Sequence, residues 1–367
     1  MTIGLVCPYN ITKGGGVQEC VLHLRKELKS RGHEVFILTP QPRNNTSSVP
    51  DGVVFIGAAT QLKTLHTTSQ ISVSASNEVI DDVLIKYNFD ILHFHEPWVP
   101  VVSRQILSRS TCVNIATFHA RLPDTVMSKT FEKVITPYTK SILKFIDSYS
   151  AVSDAAATYI KSITDQPINI IPNGIDLTKY KNHRINKKTT DILYVGRLEK
   201  RKGVKYLIEA FSLLKNRLPE TKLIIAGDGP DREKLENYVV ENEILDVKFL
   251  GQISEEKKLS LLKYSALFCS PALYGESFGI VLLEAMANGL PIVAGDNPGY
   301  TSVMQERGLL SLVNPKDTQD FARRLELFLT DKIIRKQWQS WAMKYVEQFD
   351  YRKVVDSYEK LYLQSLK

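Results

Sequence analysis

No apolar run in this chain of 367 residues approaches the length that crosses a bilayer, so no membrane-spanning helix is expected. The opening stretch, Met1 to Tyr9, reads as a strand and lacks the basic head and long apolar body of a signal peptide, which gives the expectation of a protein made and kept inside the cell. Cysteine is scarce. Cys7, Cys20, Cys112 and Cys269 show no Cys-x-x-Cys spacing and lie in apolar stretches, which excludes a disulfide framework or a zinc knuckle and leaves buried thiols. No Asp-x-Asp is placed to hold a divalent ion at a diphosphate, and Asp81-Asp82 reads as the solvated face of a helix, so no metal is expected. Nor do aromatic and basic residues interleave on one candidate sheet. The net charge of +7 and pI of about 9.0 therefore point to an anionic partner other than nucleic acid.

What is present is 43% hydrophobic and 24% charged, the balance of a globular chain long enough for two domains. Strand-like Ile3 to Pro8 leads into the triplet Gly14-Gly15-Gly16. A helix-patterned run follows, with Val17, Cys20, Val21, Leu24 and Leu28 on one face, and then the next strand, Glu34 to Thr39. Consecutive glycines before a helix N-terminus let a phosphate approach the backbone, although flexible turns use them too. Two further strands end in polar clusters, His95-Glu96 and His119-Ala120-Arg121. In an open parallel sheet, ligands bind beyond the carboxyl ends of the strands, so Glu96 and His119 are expected on the side of the glycine loop. From Val126 to Ile146 an amphipathic helix, broken near Pro137, carries Lys129, Lys133, Lys140 and Lys144 on one stripe. Met127, Phe131, Val134, Tyr138, Ile142 and Phe145 occupy the opposite side. Such a stripe is either a solvated face or a contact with anionic lipid headgroups.

The polar, basic segment from Lys179 to Thr190 is the clearest shift in composition and reads as a linker. Beyond it strands and helices alternate again, which implies a second doubly wound parallel sheet. Arg197 and Lys202 stand at the carboxyl end of its first strand, beside Gly196 and Gly203, as a fork and a point charge suited to a diphosphate. The stretch Pro271 to Pro298 carries Glu276 and Ser277 in a glycine turn at a helix N-terminus and Glu284 within an apolar run. A carboxylate there needs protein donors or ligand hydroxyls. The last segment is helical, with a break at Gln348 to Tyr351 that lets its end cross back to the first domain.

Taken in order, GGVQ, FHA, VSDAA, IPNGID, GRLEKRKG, GDGP and GESFGIVLLEAMANGLPIVA, with its two glutamates eight apart, resemble the GT-B glycosyltransferases of family 4 over nearly the whole chain. With VCPY, HEP and ATFHA added, the chain is most similar to bacterial phosphatidylinositol α-mannosyltransferases. The resemblance implies an α/β GT-B fold, two doubly wound parallel-sheet Rossmann-like domains facing across a cleft. The first spans 1–174 on the acceptor side and the second, 175–348, binds the nucleotide sugar, while 349–367 form the returning helix. It implies a nucleotide diphosphate sugar as donor, with Glu284 on the ribose hydroxyls and Arg197 and Lys202 on the diphosphate. Glu276, Ser277 and the backbone of Phe278, Gly279 and Ile280 would hold the sugar and its phosphate. Gly15 and Gly16 would lie against the diphosphate, His119 beside the reacting sugar, and Gln252, Ile253, Ser254 and Lys258 around the base. His119, Glu276, Arg197 and Lys202 carry the chemistry in this reading.

For the acceptor, an anionic phospholipid, the resemblance implies Tyr9 and Gln18, while the loop from Gly57 to Ser76 offers only Lys63 and His66 where the family has an arginine. The implied reaction is retaining transfer of a hexose, mannose from GDP-mannose as first choice, needing no cofactor or divalent metal, at the inner face of the cell membrane. A UDP-sugar transferase with another lipid or glycan acceptor, a sugar-nucleotide epimerase or hydrolase, and a non-catalytic nucleotide-sugar binder remain the alternatives.

Overall fold

In a computed structural model the chain is described at residues 1–42, 51–63, 68–72, 75–99, 102–121, 126–180 and 189–367, the side chains of 58–63, 68–72, 126–129 and 131 excepted. It divides into two units, Met1–Gly174 with Tyr351–Lys367, and Ile175–Asp350. Residues 181–188 of the expected linker fall outside the description.

The described strands of the first unit are β1 (Thr2–Val6), β2 (Glu34–Gln41), β3 (Val53–Lys63), β4 (Thr68–Ser72), β5 (Ile91–His95), β6 (Val113–Phe118), β7 (Ser148–Ala151) and β8 (Ile168–Ile170). They form one sheet in the order β4-β3-β2-β1-β5-β6-β7-β8, parallel except for the antiparallel β3–β4 pair. β1 and β5 read as apolar runs because helices cover both faces: Ile3, Leu5, Ile91, Leu92 and Phe94 are buried. Each such side chain contributes about 1.5–3 kcal/mol on leaving water. The helix Gly16–Ser30 buries Cys20, Val21, Leu24 and Leu28, as its spacing requires. The helix Tyr351–Ser365 joins the same core through Val354, Val355, Tyr358, Leu361 and Tyr362. At its outer edge Arg31 reaches Asp356 and Glu359, and His33 Nε2 pairs with Glu359 Oε1 at 2.7 Å.

In the second unit β9 (Ile192–Val195), β10 (Leu223–Ala226), β11 (Val247–Gly251), β12 (Leu267–Ser270), β13 (Ile292–Gly295) and β14 (Leu312–Val313) form a parallel sheet in the order β11-β10-β9-β12-β13-β14. Strand order thus reverses at β1/β5 in one sheet and at β9/β12 in the other, and the carboxyl ends at such a reversal are where an open α/β sheet binds ligands. Gly203 makes the tight start of the helix Val204–Lys215 possible: its φ is 68°, and a Cβ there would stand 2.1 Å from the carbonyl oxygen of Pro271.

Three expectations need correction. The helix Val126–Leu143 runs through Pro137 without a break. Pro137 lies on the exposed side of the helix, as does Lys133 one turn earlier, whose carbonyl proline cannot bond. Val134, expected on the apolar side, is 71% exposed. The tail begins at Tyr351 rather than residue 349, because the Ile175 N–H donates to the Phe349 carbonyl at 2.8 Å and Ile175 pairs with Asp350, both within the second unit. Among the described residues no helix is long and apolar enough to cross a membrane.

Candidate active site

In the first unit the end of β1 is shaped by Thr39, whose hydroxyl donates to the Tyr9 carbonyl at 2.8 Å and accepts from the Ile11 N–H at 3.3 Å. Tyr9 is half-buried there. The helix Gly16–Ser30 opens after Gly15 with no side-chain cap, so its first N–H groups stay available to an anion. A Cβ on Gly15 would meet Gln18 Oε1 at 2.4 Å, which places the Gln18 side chain directly over that turn. The structure thus brings Gln18 onto the glycine loop, while Tyr9 is tied to Thr39 after β1.

His119 follows β6 and is 7% exposed. Its Nε2 shares a proton with His95 Nδ1 at 2.8 Å, and Asn173 lies near the ring. Below them His93 joins Tyr362 OH at 2.7 Å and Thr117 Oγ1 at 2.6 Å, and Thr117 in turn meets Ser150 Oγ at 2.5 Å. Burial pushes His119 down to about 4 in spite of the neighbouring Asn173, pushes His93 down to about 3, and holds His95 well below the ordinary imidazole range. At neutral pH all three rings are uncharged, each with one donor and one acceptor nitrogen. Neutral rings of this kind pair with hydroxyls, as His93 does with Tyr362 and Thr117. His95 Nε2 and Asn173 Oδ1 are buried without a hydrogen-bond partner among the described residues.

Ligand atoms of Cys20, His95 and His119 lie within 4.8 Å of one another. The two imidazole nitrogens already face each other across one proton at 2.8 Å, closer than the roughly 3.3 Å that an ion about 2.0 Å from each would impose in tetrahedral geometry. Burial also raises the Cys20 thiol to about 12. The trio therefore makes a proton-sharing pair beside a thiol.

Glu96 is the residue whose role sequence reasoning left undefined. It is buried, its φ is +52°, and its Oε1 accepts the backbone N–H of His119 at 2.5 Å and that of Ala120, while Oε2 accepts the Trp98 indole N–H. Burial raises its carboxyl to about 7 in spite of these three donors.

In the second unit Arg197 leaves the end of β9 half-exposed, Nη2 2.9 Å from Glu199 Oε1. Lys202 Nζ lies 2.6 Å from Glu276 Oε1. Between them stands Arg201, which the sequence reading passed over. Its Nη1 donates to the same Glu276 oxygen at 2.8 Å and its Nε to Glu199 Oε2 at 2.9 Å. In the sequence it is one of three consecutive cations, Lys200-Arg201-Lys202, and only the folded short turn shows that it points inward. Glu276, expected at a helix N-terminus, instead has its carboxylate held by these two cations. Three cationic side chains thus share two carboxylates, and an arriving diphosphate can replace carboxylate as their partner.

The helix Ile280–Ala287 begins at Gly279, φ +97°, with no side-chain cap, and Phe278 packs edge-on against Phe349 at 5.9 Å. A Cβ on Gly279 would sit 2.7 Å from the Tyr300 ring. The N–H groups that follow, Ile280 included, are open to an anion, with Ser277 in the preceding turn. Glu284 is satisfied by a protein donor, Lys258 Nζ at 2.7 Å. Burial raises its carboxyl and Lys258 opposes the rise. Ser254 caps the helix Glu255–Tyr264 by accepting the Lys257 N–H at 3.2 Å, so its side chain serves the fold; Gln252 beside it is exposed and Ile253 half-buried.

Asp81, expected to be solvated, is gripped by Arg109 Nη1, with both carboxylate oxygens at 3.0 Å. Lys63 ends β3, and its side chain and that of Lys129 lie outside the description, as does His66. Lys133, Lys140 and Lys144 are exposed on the helix Val126–Leu143 and just beyond it.

Comparison with known proteins fits this geometry. The family model "Glycosyltransferase Family 4" matches residues 14–179 and "Glycosyl transferases group 1" matches residues 177–345. The chain is 31% identical over 368 residues to the phosphatidyl-myo-inositol mannosyltransferase of Mycolicibacterium smegmatis, spanning 99% of this chain and 93% of that protein. It is 30% identical to the enzyme of the same name from Propionibacterium freudenreichii, over 83% of this chain and 80% of that one. Among solved structures, the sucrose-phosphate synthase of Thermosynechococcus elongatus superposes with a TM-score of 0.75 at 20% identity, covering 99% of this chain and 98% of that one. Anabaena HepE in complex with UDP and glucose gives 0.75 at 18% identity, covering 98% and 99%.

Proposed function

Since this chain belongs to the family 4 glycosyltransferases of GT-B fold, and is an enzyme of glycosyl transfer, we propose that it moves mannose from GDP-mannose to a phosphatidylinositol-type lipid at the cytoplasmic membrane face. The observation that carries the reading is the cluster at the ends of β9 and β12, where Arg197, Arg201 and Lys202 surround Glu199 and Glu276. As the bond from the anomeric carbon to the diphosphate breaks, its electron pair goes to the departing phosphate oxygen. Arg197, Lys202 and the uncapped start of the helix Ile280–Ala287 stabilise that charge as it develops, and they are in place beforehand. Neutral His119 bonds a sugar hydroxyl without adding positive charge beside the developing oxocarbenium ion. The leaving phosphate accepts the proton of the acceptor hydroxyl on the same face, so the anomeric configuration is retained and no divalent metal takes part. Glu284 and Lys258 receive the ribose and the edge of the base. Tyr9 and Gln18 meet the acceptor headgroup.

The membrane reading rests on the face of the helix Val126–Leu143 that shows Lys133 and Lys140 together with Val134 to solvent, a mixture suited to anionic headgroups. A UDP-sugar donor is the second reading, favoured by the UDP and glucose bound to Anabaena HepE. The deciding experiment incubates the purified protein with a panel of labelled nucleotide sugars and a total lipid extract, then identifies the labelled lipid. Mannosyl-phosphatidylinositol from GDP-mannose is expected. Label in another lipid, or from a UDP-sugar, replaces this reading by the second, and donor turnover to an epimer without acceptor abolishes both.

A further inference from the structure

We propose that Glu96 is the positioning residue that sets the reach of His119, through a two-point grip on the backbone that follows β6. The inference rests on the glycosyl-transfer reading for its consequence, though not for its geometry. A single carboxylate oxygen, Oε1, takes the N–H groups of His119 and Ala120 in succession, and the second oxygen is fixed by the Trp98 indole. Two consecutive N–H groups converging on one anion define the direction of the chain at that point, and with it the direction of the His119 ring.

The left-handed backbone of Glu96, φ +52°, is rare outside glycine and asparagine and persists only where surroundings enforce it. It turns the chain after β5 so that the side chain points sideways to the neighbouring β6 rather than onward to solvent. The Glu96 N–H closes the arrangement by donating to the Thr117 carbonyl at 2.9 Å. Glu96 and the segment carrying His119 are therefore tied in both directions. His95 bonds the ring itself but does not hold its backbone, so the placement of the Cα falls to Glu96.

A carboxylate doing this work must be ionised to accept from all three donors without a proton of its own in the way. The titratable groups facing it are His119 beyond β6 and Tyr9 beyond β1, both uncharged at neutral pH. Burial has moved the carboxyl up to about 7, so the grip weakens as pH falls through that value. Activity then acquires an acid limb that belongs to Glu96.

Glu96→Gln copies the protonated form. It keeps an oxygen for the His119 and Ala120 N–H groups but turns a donor toward the Trp98 indole. Two readouts are taken on the full chain. Backbone amide exchange at His119 and Ala120 is expected to quicken at least tenfold in Glu96→Gln at pH 8, whatever the reaction proves to be. The turnover number with saturating donor is expected to drop by roughly tenfold or more, in keeping with the sensitivity of transfer to small displacements, and to lose its acid limb near pH 7, with donor KM within twofold of wild type. Unchanged amide exchange overturns the grip. Faster exchange with the acid limb intact, or donor KM rising in step with the fall in turnover, overturns the positioning role. Should the wild-type chain transfer no sugar at all, the functional reading fails on that result, and amide exchange still decides on Glu96.

Discussion

The two units build their strand-end polar groups from opposite materials. In the first, His93, His95, His119, Thr117, Ser150 and Tyr362 form a buried relay of uncharged donors and acceptors, with Glu96 as its one carboxylate. In the second, Arg197, Arg201 and Lys202 stand against Glu199 and Glu276, and Lys258 against Glu284, so the polar atoms are ions held by ions. All the described histidines lie in the first unit. A sugar in transfer asks for both: hydroxyls are recognised by neutral partners that leave its positive charge undisturbed, and a departing diphosphate is stabilised by charge already in place. The division also explains why the ionic side can wait without ligand. Its carboxylates satisfy the cations until a phosphate takes their place.

Replacing Lys202 by Ala attacks the ionic half alone. Turnover is expected to drop by about 10²–10³-fold, the usual size for one preorganised charge-stabilising donor, with only a small fall in the unfolding midpoint because Arg201 still holds the Glu276 oxygen that Lys202 leaves. If turnover stays within threefold, the contrast drawn above has no bearing on catalysis. The lysines of the helix Val126–Leu143 and its continuation probe the other unit. Changing Lys129, Lys133, Lys140 and Lys144 to Ser should weaken binding to vesicles containing anionic lipid, at about 1 kcal/mol per lysine, and leave slow donor hydrolysis intact. Sedimentation with vesicles measures the first and nucleotide release the second. Equal loss of both would mean misfolding.

Acid sharpens the contrast at intermediate cost. His93, His95 and His119 have folded values lowered from the usual imidazole range, to about 3 for His93 and about 4 for His119, so the unfolded chain binds their protons first and stability is lost as pH falls below about 6.5. Glu96, raised to about 7, works the other way between its unfolded value near 4.5 and 7. The balance is about two protons, or on the order of 2–3 kcal/mol per pH unit between pH 5 and 6, borne by the first unit. Amides of β5 and β6 should lose exchange protection in that window while those of β9 and β12 keep theirs, and parallel loss in both sheets would refute the assignment. The mildest test is Glu284→Gln. It exchanges a charged acceptor for a neutral one, so donor KM should rise roughly tenfold with turnover close to wild type, as steady-state kinetics at varied donor would report.

Both sheets were legible because helical and strand periods alternate along the whole chain, and the ligand side of each was legible because glycines and ionisable residues cluster after the strands. Lys202, Glu276 and Glu284 were singled out as candidates in this way, and the first two meet in the folded unit. Arg201 was missed because a run of three cations does not reveal which of them turns inward until the turn is folded. The helix through Pro137 was missed because the local rule about proline says nothing of whether the freed carbonyl meets water or protein. The relay beneath His119 was beyond reach for a different reason. His93 meets a tyrosine 269 positions away, and no local pattern encodes that pairing.

That last distance has a consequence for how the chain is made. The helix Tyr351–Ser365 is synthesised only after the whole of the second unit, yet it supplies Tyr358 and Tyr362 to a core whose other members, Ile3 to Ile171, leave the ribosome before that unit. Throughout translation of the intervening unit the N-terminal sheet lacks its closing apolar surface, and the His93 imidazole lacks its phenol. A nascent chain halted before residue 351 would therefore present exposed hydrophobic surface to chaperones and proteases, and cells would clear the stalled product faster than the finished enzyme.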